Sequence, residues 1–156
     1  MKINWKLLIL CIAIPLAVGG AASLLTGGGM EVFESVNKPP LSPPAWLFPV
    51  VWTILYTLMG ISSYMVLTSG ADSEQVKNAL SIYAYQLVGN FLWPTLFFNF
   101  RWFFFSFLWL LLLIFLVIAM IREFYKISKP AAYVNIPYFI WLLFAGYLNF
   151  TIWWLN

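Results

Sequence analysis

Five stretches of this chain carry no charged side chain: residues 7–30, 39–71, 78–100, 102–121 and 130–156. Each can supply the roughly 20 apolar residues that a helix needs to cross a bilayer. Hydrocarbon offers no partner to free backbone groups, so helices are the expected solution. Runs such as residues 103–121 do not alternate as the strands of a membrane barrel would. The composition agrees: 63% of residues are hydrophobic and 8% charged, against roughly 25% charged in soluble proteins. So few charges cannot cover a water-exposed surface when fifteen Phe, nine Trp and eight Tyr must also be placed. A soluble domain is excluded.

The expected fold is therefore an all-α integral membrane protein. It is a single bundle of five transmembrane helices at about 6–26, 46–68, 79–98, 103–122 and 134–154, with a long loop between helices 1 and 2. The first span has a basic start and small residues near its end, as a signal peptide has, but its apolar stretch is too long for one and reads as retained. Lys2, Lys6, Lys77, Arg122, Lys126 and Lys129 fall on one side of this topology, and only Lys38 and Arg101 on the other. The positive-inside rule puts the N-terminus in the cytoplasm. The loop at 27–45 joins a glycine triplet to Pro39, Pro40, Pro43 and Pro44. It reads either as a connector into the second helix or as a lid over a pocket. No internal repeat suggests an inverted-repeat transporter.

Whole chemistries are missing. There is no His and only one Cys, Cys11, so no imidazole base, His-ligated metal, intramolecular disulfide or multi-Cys metal site can be built. The net charge of +3 is too small and scattered for nucleic-acid binding. No ionisable group sits deep in a span, as a proton relay, an ion path or a hydrolase base would require. The informative residues are polar neutrals and indoles. Tyr83, Gln86, Asn90, Trp93 and Phe97 recur at helical spacing and share one face. A lipid-facing Gln or Asn would be costly, so that face points inward. Interhelical hydrogen bonding and a ligand pocket explain it equally well. Pro49, Thr53, Tyr56, Gly60 and Ser63, with Trp52 nearby, follow the same rhythm on the second helix. Tyr138, Trp141, Ala145 and Asn149 do so on the fifth. Trp5, Trp102, Trp153 and Trp154 sit at span ends, where indoles form an interfacial belt. Small residues Ala17, Gly19, Ala21 and Ser23 on the first helix would permit close packing or a dimer contact. Aromatic faces on three helices with a few neutral polar groups are what a pocket for a flat, largely apolar ligand requires.

Three segments carry a resemblance. Residues 38–64, KPPLSPPAWLFPVVWTILYTLMGISSY, contain Pro-Pro-x-Trp followed by W-x-x-L-Y-x-x-M-G. Residues 85–98, YQLVGNFLWPTLFF, give Q-L-x-x-N-x-x-W-x-x-x-F-F. Residues 137–153, PYFIWLLFAGYLNFTIW, give P-Y-x-x-W-x-x-F-A-x-x-L-N. In this order, over nearly the whole chain, the sequence resembles the translocator protein/tryptophan-rich sensory protein (TspO/MBR) family. The resemblance implies a five-helix membrane bundle, commonly a homodimer, that binds porphyrins and benzodiazepine-type ligands in a pocket under the first loop. On matching positions, Trp52 and Trp141 correspond to pocket tryptophans. Phe48, Tyr56, Asn90, Trp93, Ala145 and Leu148 map to the ligand-contacting region, and Gln86 joins them through its face on the third helix. Leu41 stands where the family often has Trp. The cholesterol motif of animal members is missing, since Phe150 replaces its Tyr and no Lys or Arg follows Lys129.

Two functional expectations follow from the resemblance. One is a membrane receptor for porphyrins of the protoporphyrin IX type that also degrades them in light and oxygen. No metal or resident cofactor is needed there: the porphyrin absorbs the light, and Trp52 and Trp141 are the catalytic relays. The other is a tetrapyrrole sensor or carrier without catalysis, in which the indoles only stack. A bacterial cell membrane is the expected location. The expected partners are a porphyrin or other flat lipophile, membrane lipid and a second copy of the chain, with no nucleic acid.

Overall fold

The computed structural model describes residues 2–27 and 29–156, and among them there are helices and no strands. The elements in chain order are α1 (Trp5–Leu25), α2 (Gly29–Ser35), α3 (Leu47–Leu67), α4 (Ser73–Pro94), a π-helical turn (Thr95–Asn99), α5 (Phe103–Ile127), α6 (Lys129–Val134) and α7 (Ile136–Leu155). Four segments are long and apolar enough to cross a membrane: α1, α3, α5 and the combined α6–α7 stretch. At 22 residues α4 is as long, but it opens with Ser73, Glu74, Gln75, Lys77 and Asn78 and is less apolar.

Local chemistry sets the ends. The side chain of Asn4 accepts from Leu7 N at 3.2 Å and starts α1. Asp72 accepts from Glu74 N at 3.0 Å and Gln75 N at 3.3 Å, an N-cap that starts α4 six residues before the expected span at 79. At its far end α5 runs past the expected residue 122 to Ile127, because Phe124 still packs in the core while Lys126 pairs with Glu123 on the outer side. Ser128 then caps α6, accepting from Ala131 N at 3.4 Å. Asn135 joins α6 to α7, its amide donating to Ser62 Oγ at 2.6 Å and to Ala131 O at 2.9 Å.

The loop expected at 27–45 holds a helix of its own. Its glycines and prolines read as breakers, yet Met30–Phe33 coil because Phe33 buries against Phe97 and Ile152. Tertiary packing there overrides local propensity. The second departure is at the end of α4. Beyond Pro94 the chain widens into a π turn instead of ending as α-helix at 98, and Arg101 follows at φ 54°.

In the bundle, α1 packs on α3 and α4, α4 on α5, and α5 on α7, around a core that includes Met59, Val66, Leu110, Leu113, Val117, Tyr138 and Leu142. The closest crossing is α1 on α3. A Cβ added to Gly60 would collide with the backbone of Ile12 and with Cys11 O. By contrast, a Cβ at Gly20 would meet nothing within 4 Å.

These two glycines give a paired prediction. Gly60→Ala destabilises the protein by about 1–3 kcal/mol through overpacking against backbone. Gly20→Ala is neutral or stabilising, because alanine is the better helix former. Thermal unfolding in detergent, followed by circular dichroism, reads both. Equal midpoints for the two variants would contradict this account of the crossing.

Candidate functional site

The inward faces of α1, α3, α4 and α7 do not close fully, and a cavity of about 390 Å³ remains between them. Ligand pockets run from roughly 300 to 1,000 Å³. Met30 and Phe33 of α2 line one end of it. None of the lining residues is charged.

Trp52 and Trp141 stand in the wall. Trp52 lies 5.4 Å from the Tyr56 ring and edge-on to Tyr138 at 6.2 Å. Trp141 meets Phe48 edge-on at 5.9 Å and Phe144 at 5.5 Å. Trp93 stacks on Phe97 at 5.1 Å. The indoles differ in what remains free. Trp93 Nε1 donates to Asn149 Oδ1 at 3.1 Å, whereas neither Trp52 nor Trp141 hydrogen-bonds among the described residues. Phe48, Tyr56, Asn90, Ala145 and Leu148 also line the cavity.

Gln86 does not line it. The side chain is fully buried one turn along α4, where Nε2 donates to Met59 Sδ at 3.7 Å. The Tyr138 hydroxyl donates to Gln86 Oε1 at 2.8 Å and accepts from Asn90 Nδ2 at 2.7 Å. Gln86 therefore supports Tyr138, which in turn orients Asn90. The sequence pattern puts Gln86 and Asn90 on one face and cannot tell which of the two is covered. Asn90 Oδ1 and the Tyr56 hydroxyl have no partner among the described residues, and both belong to cavity-lining side chains.

Asn149 closes the other end of this polar set. It accepts from Trp93 and from Ser106 Oγ at 3.2 Å, and donates to Phe103 O at 2.8 Å. The periodicity of α7 includes Asn149, but its saturation by α4 and α5 is not readable from one helix. Residues absent from the expected site include Leu16, Gly19, Gly20 and Ser23 of α1, and Leu110 and Leu113 of α5. Glycine and serine carry no hydrophobic signal, although a Cβ on Gly19 would strike the Tyr56 ring. Of the small residues that suggested a contact face, Gly19 and Ser23 line the cavity, while Ala17 and Ala21 are exposed on the outside.

The stretch after α2 is tied to the C-terminal part of α7 at two points. Asn156 Nδ2 donates to Asn37 O at 2.9 Å, and Asn37 N donates to Asn156 Oδ1 at 3.0 Å. The Tyr147 hydroxyl donates to Pro40 O at 3.0 Å. Separately, Asn99 Nδ2, from the π turn, donates to Leu25 O at the end of α1 at 3.1 Å.

Removing one hydroxyl tests the polar scaffold. Tyr138→Phe strips partners from Gln86 and Asn90 and costs about 1–3 kcal/mol of stability. Tyr56→Phe removes a hydroxyl without a hydrogen-bond partner among the described residues and leaves the thermal midpoint unchanged. A Tyr138→Phe protein as stable as the parent would contradict the bridging role.

Comparison with known proteins agrees with this architecture. The family model described as "TspO/MBR family" matches residues 11–155. The chain is 40% identical over 151 residues to the tryptophan-rich protein TspO of Chlorobaculum tepidum, covering 96% of this chain and 95% of that protein. It is 37% identical over 151 residues to the tryptophan-rich protein TspO of Archaeoglobus fulgidus, covering 96% of each. With the translocator protein of Bos taurus it shares 37% identity over 140 residues, 88% of this chain and 83% of the other. Apolar membrane-length helices and matches of this extent lead to one conclusion: the chain is an integral membrane protein belonging to the TspO/MBR family.

Proposed function

We propose that this protein is a membrane receptor for flat, largely apolar ligands, namely porphyrins of the protoporphyrin IX type and benzodiazepine-type molecules. The observation that carries this reading is the uncharged, aromatic cavity with Trp52 and Trp141 in its wall. Rings stack on indoles and phenyl faces. The free acceptor at Asn90 and the donors at Tyr56, Trp52 and Trp141 fix the orientation of a ligand's few polar atoms. Phe48, Trp93, Ala145 and Leu148 supply apolar contact, and Gln86 holds the scaffold behind Asn90.

In this reading α4 crosses the membrane along with the four more apolar segments, giving a five-span bundle. Its polar first turns lie at the cytoplasmic surface with the N-terminus, on the basic side of the chain. The 27–45 segment is the lid. Two copies pair as a homodimer in a bacterial cell membrane.

A second reading adds chemistry. The cavity has no acid, base or nucleophile pair, so ordinary polar catalysis is not open to it. A bound porphyrin excited by light can take an electron from an adjacent indole. Dioxygen adds to the reduced macrocycle, and the adduct returns the electron to the indole radical cation, so both oxygen atoms end on the ring and the indole is restored. Trp52 and Trp141 are the relays in that scheme, and the substrate supplies the photochemistry. The location of both indoles in one cavity wall favours it.

Titration with protoporphyrin IX in detergent, read by tryptophan quenching and then by porphyrin absorbance under light and oxygen, separates the readings. The receptor reading expects saturable quenching. Trp52→Phe and Trp141→Phe each weaken binding by about 0.5–1.5 kcal/mol through lost ring contact. With saturating ligand, the relay reading expects light-dependent loss of absorbance that slows in both variants. Loss no faster than for free porphyrin leaves a sensor or carrier. Absence of saturable quenching overturns the receptor.

A further inference from the structure

The lid is tied to the C-terminal part of α7 at Asn37 and Pro40 by hydrogen bonds of 2.9–3.0 Å. The cavity beneath it has an opening elsewhere. Gly20 and Ser23 of α1 and Pro49 and Thr53 of α3 line the cavity and are also exposed. These residues face each other across the α1–α3 seam. Deeper in the bundle that seam is shut by backbone contact at Gly60 and Ile12, and above this by the Tyr56 ring against Gly19. Beyond Gly19 the cavity-lining α1 residues of this seam, Gly20 and Ser23, carry little side chain to fill it. A Cβ on Gly20 would lie in open space, and the Thr53 hydroxyl turns back on its own helix, donating to Pro49 O at 2.7 Å.

We propose that ligands reach the cavity sideways from the bilayer, through a window between α1 and α3 rimmed by Gly20, Ser23, Pro49 and Thr53. This rests on the receptor reading above and names the class of ligand admitted. The rim residues lie two to six positions inside the ends of α1 and α3 at Leu25 and Leu47, or roughly 3–9 Å below them at the helical rise. Trp46, 67% exposed, stands at that end, where indoles mark the headgroup level. The cavity offers no cation, and a charge taken into it would lose its hydration without a partner. The window therefore suits a flat amphiphile with acidic groups on one edge. The apolar body slides in and the carboxylates stay among the headgroups.

The test uses the whole protein in phosphatidylcholine vesicles, mixed rapidly with protoporphyrin IX and followed by tryptophan quenching. Gly20→Leu fills the window, and Ser23→Phe does so independently should the first variant fail to fold. Association and release both slow by about tenfold or more in either variant, since a narrowed passage raises one barrier for both directions. Asn156→Ala with Tyr147→Phe, which loosens the lid, leaves both rates within about twofold of the parent. Rates unchanged by the rim substitutions overturn the window. So does a lid-loosened protein that takes up and releases porphyrin faster while the rim variants match the parent. Absence of saturable quenching in the unaltered protein removes the receptor reading and the window with it.

Discussion

Hydrocarbon gives a buried polar atom nothing to bond, and the arrangement of this bundle follows from that constraint. Three side-chain sets meet it. Tyr138 on α7 joins Gln86 and Asn90 on α4. Asn149 on α7 joins Trp93 on α4 with Ser106 and Phe103 on α5. Asn135, at the α6–α7 joint, ties Ser62 on α3 to the Ala131 carbonyl. Apolar packing between helices in lipid is nearly indifferent to rotation, so these hydrogen bonds fix which face α3, α4, α5 and α7 turn inward. The cavity lies among the helices they hold.

That arrangement explains a division of labour among similar residues. Trp93 and Asn149 bond each other, so their polar atoms belong to the scaffold. Trp52, Trp141, Tyr56 and the Asn90 oxygen are held by the same scaffold without being consumed by it. An uncharged cavity whose polar atoms come preoriented can recognise a flat ligand at little ordering cost. The same absence of charge argues that acidic edges of a ligand stay outside.

Much of this was legible in the sequence, because a membrane simplifies the problem. Charge-free runs mark the long helices, and the 3-and-4 spacing of Tyr83, Gln86, Asn90, Trp93 and Phe97 marks the inward face of α4. What could not be read depends on pairing between helices. Gln86 and Asn90 are one turn apart on one face, and only Tyr138 from α7 decides that one is covered while the other looks into the cavity. The α1 wall is silent because Gly19, Gly20 and Ser23 act through what they leave empty. Helix α2 is hidden among breakers because Phe33 is stabilised by Phe97 and Ile152, distant in sequence. The early start of α4 was readable from Asp72, an N-cap in front of polar residues, had capping been weighed above hydropathy.

The central claim is that the cavity between α1, α3, α4 and α7 is where a flat ligand binds. Ala145 lines it from α7 and is half-buried, so Ala145→Phe fills the space and leaves the polar sets intact. The most direct measurement is an equilibrium titration of this variant with protoporphyrin IX, beside the parent, with folding checked by helical circular dichroism. The account expects saturable quenching in the parent and its loss in the folded variant. Identical saturation curves for the two proteins would contradict it.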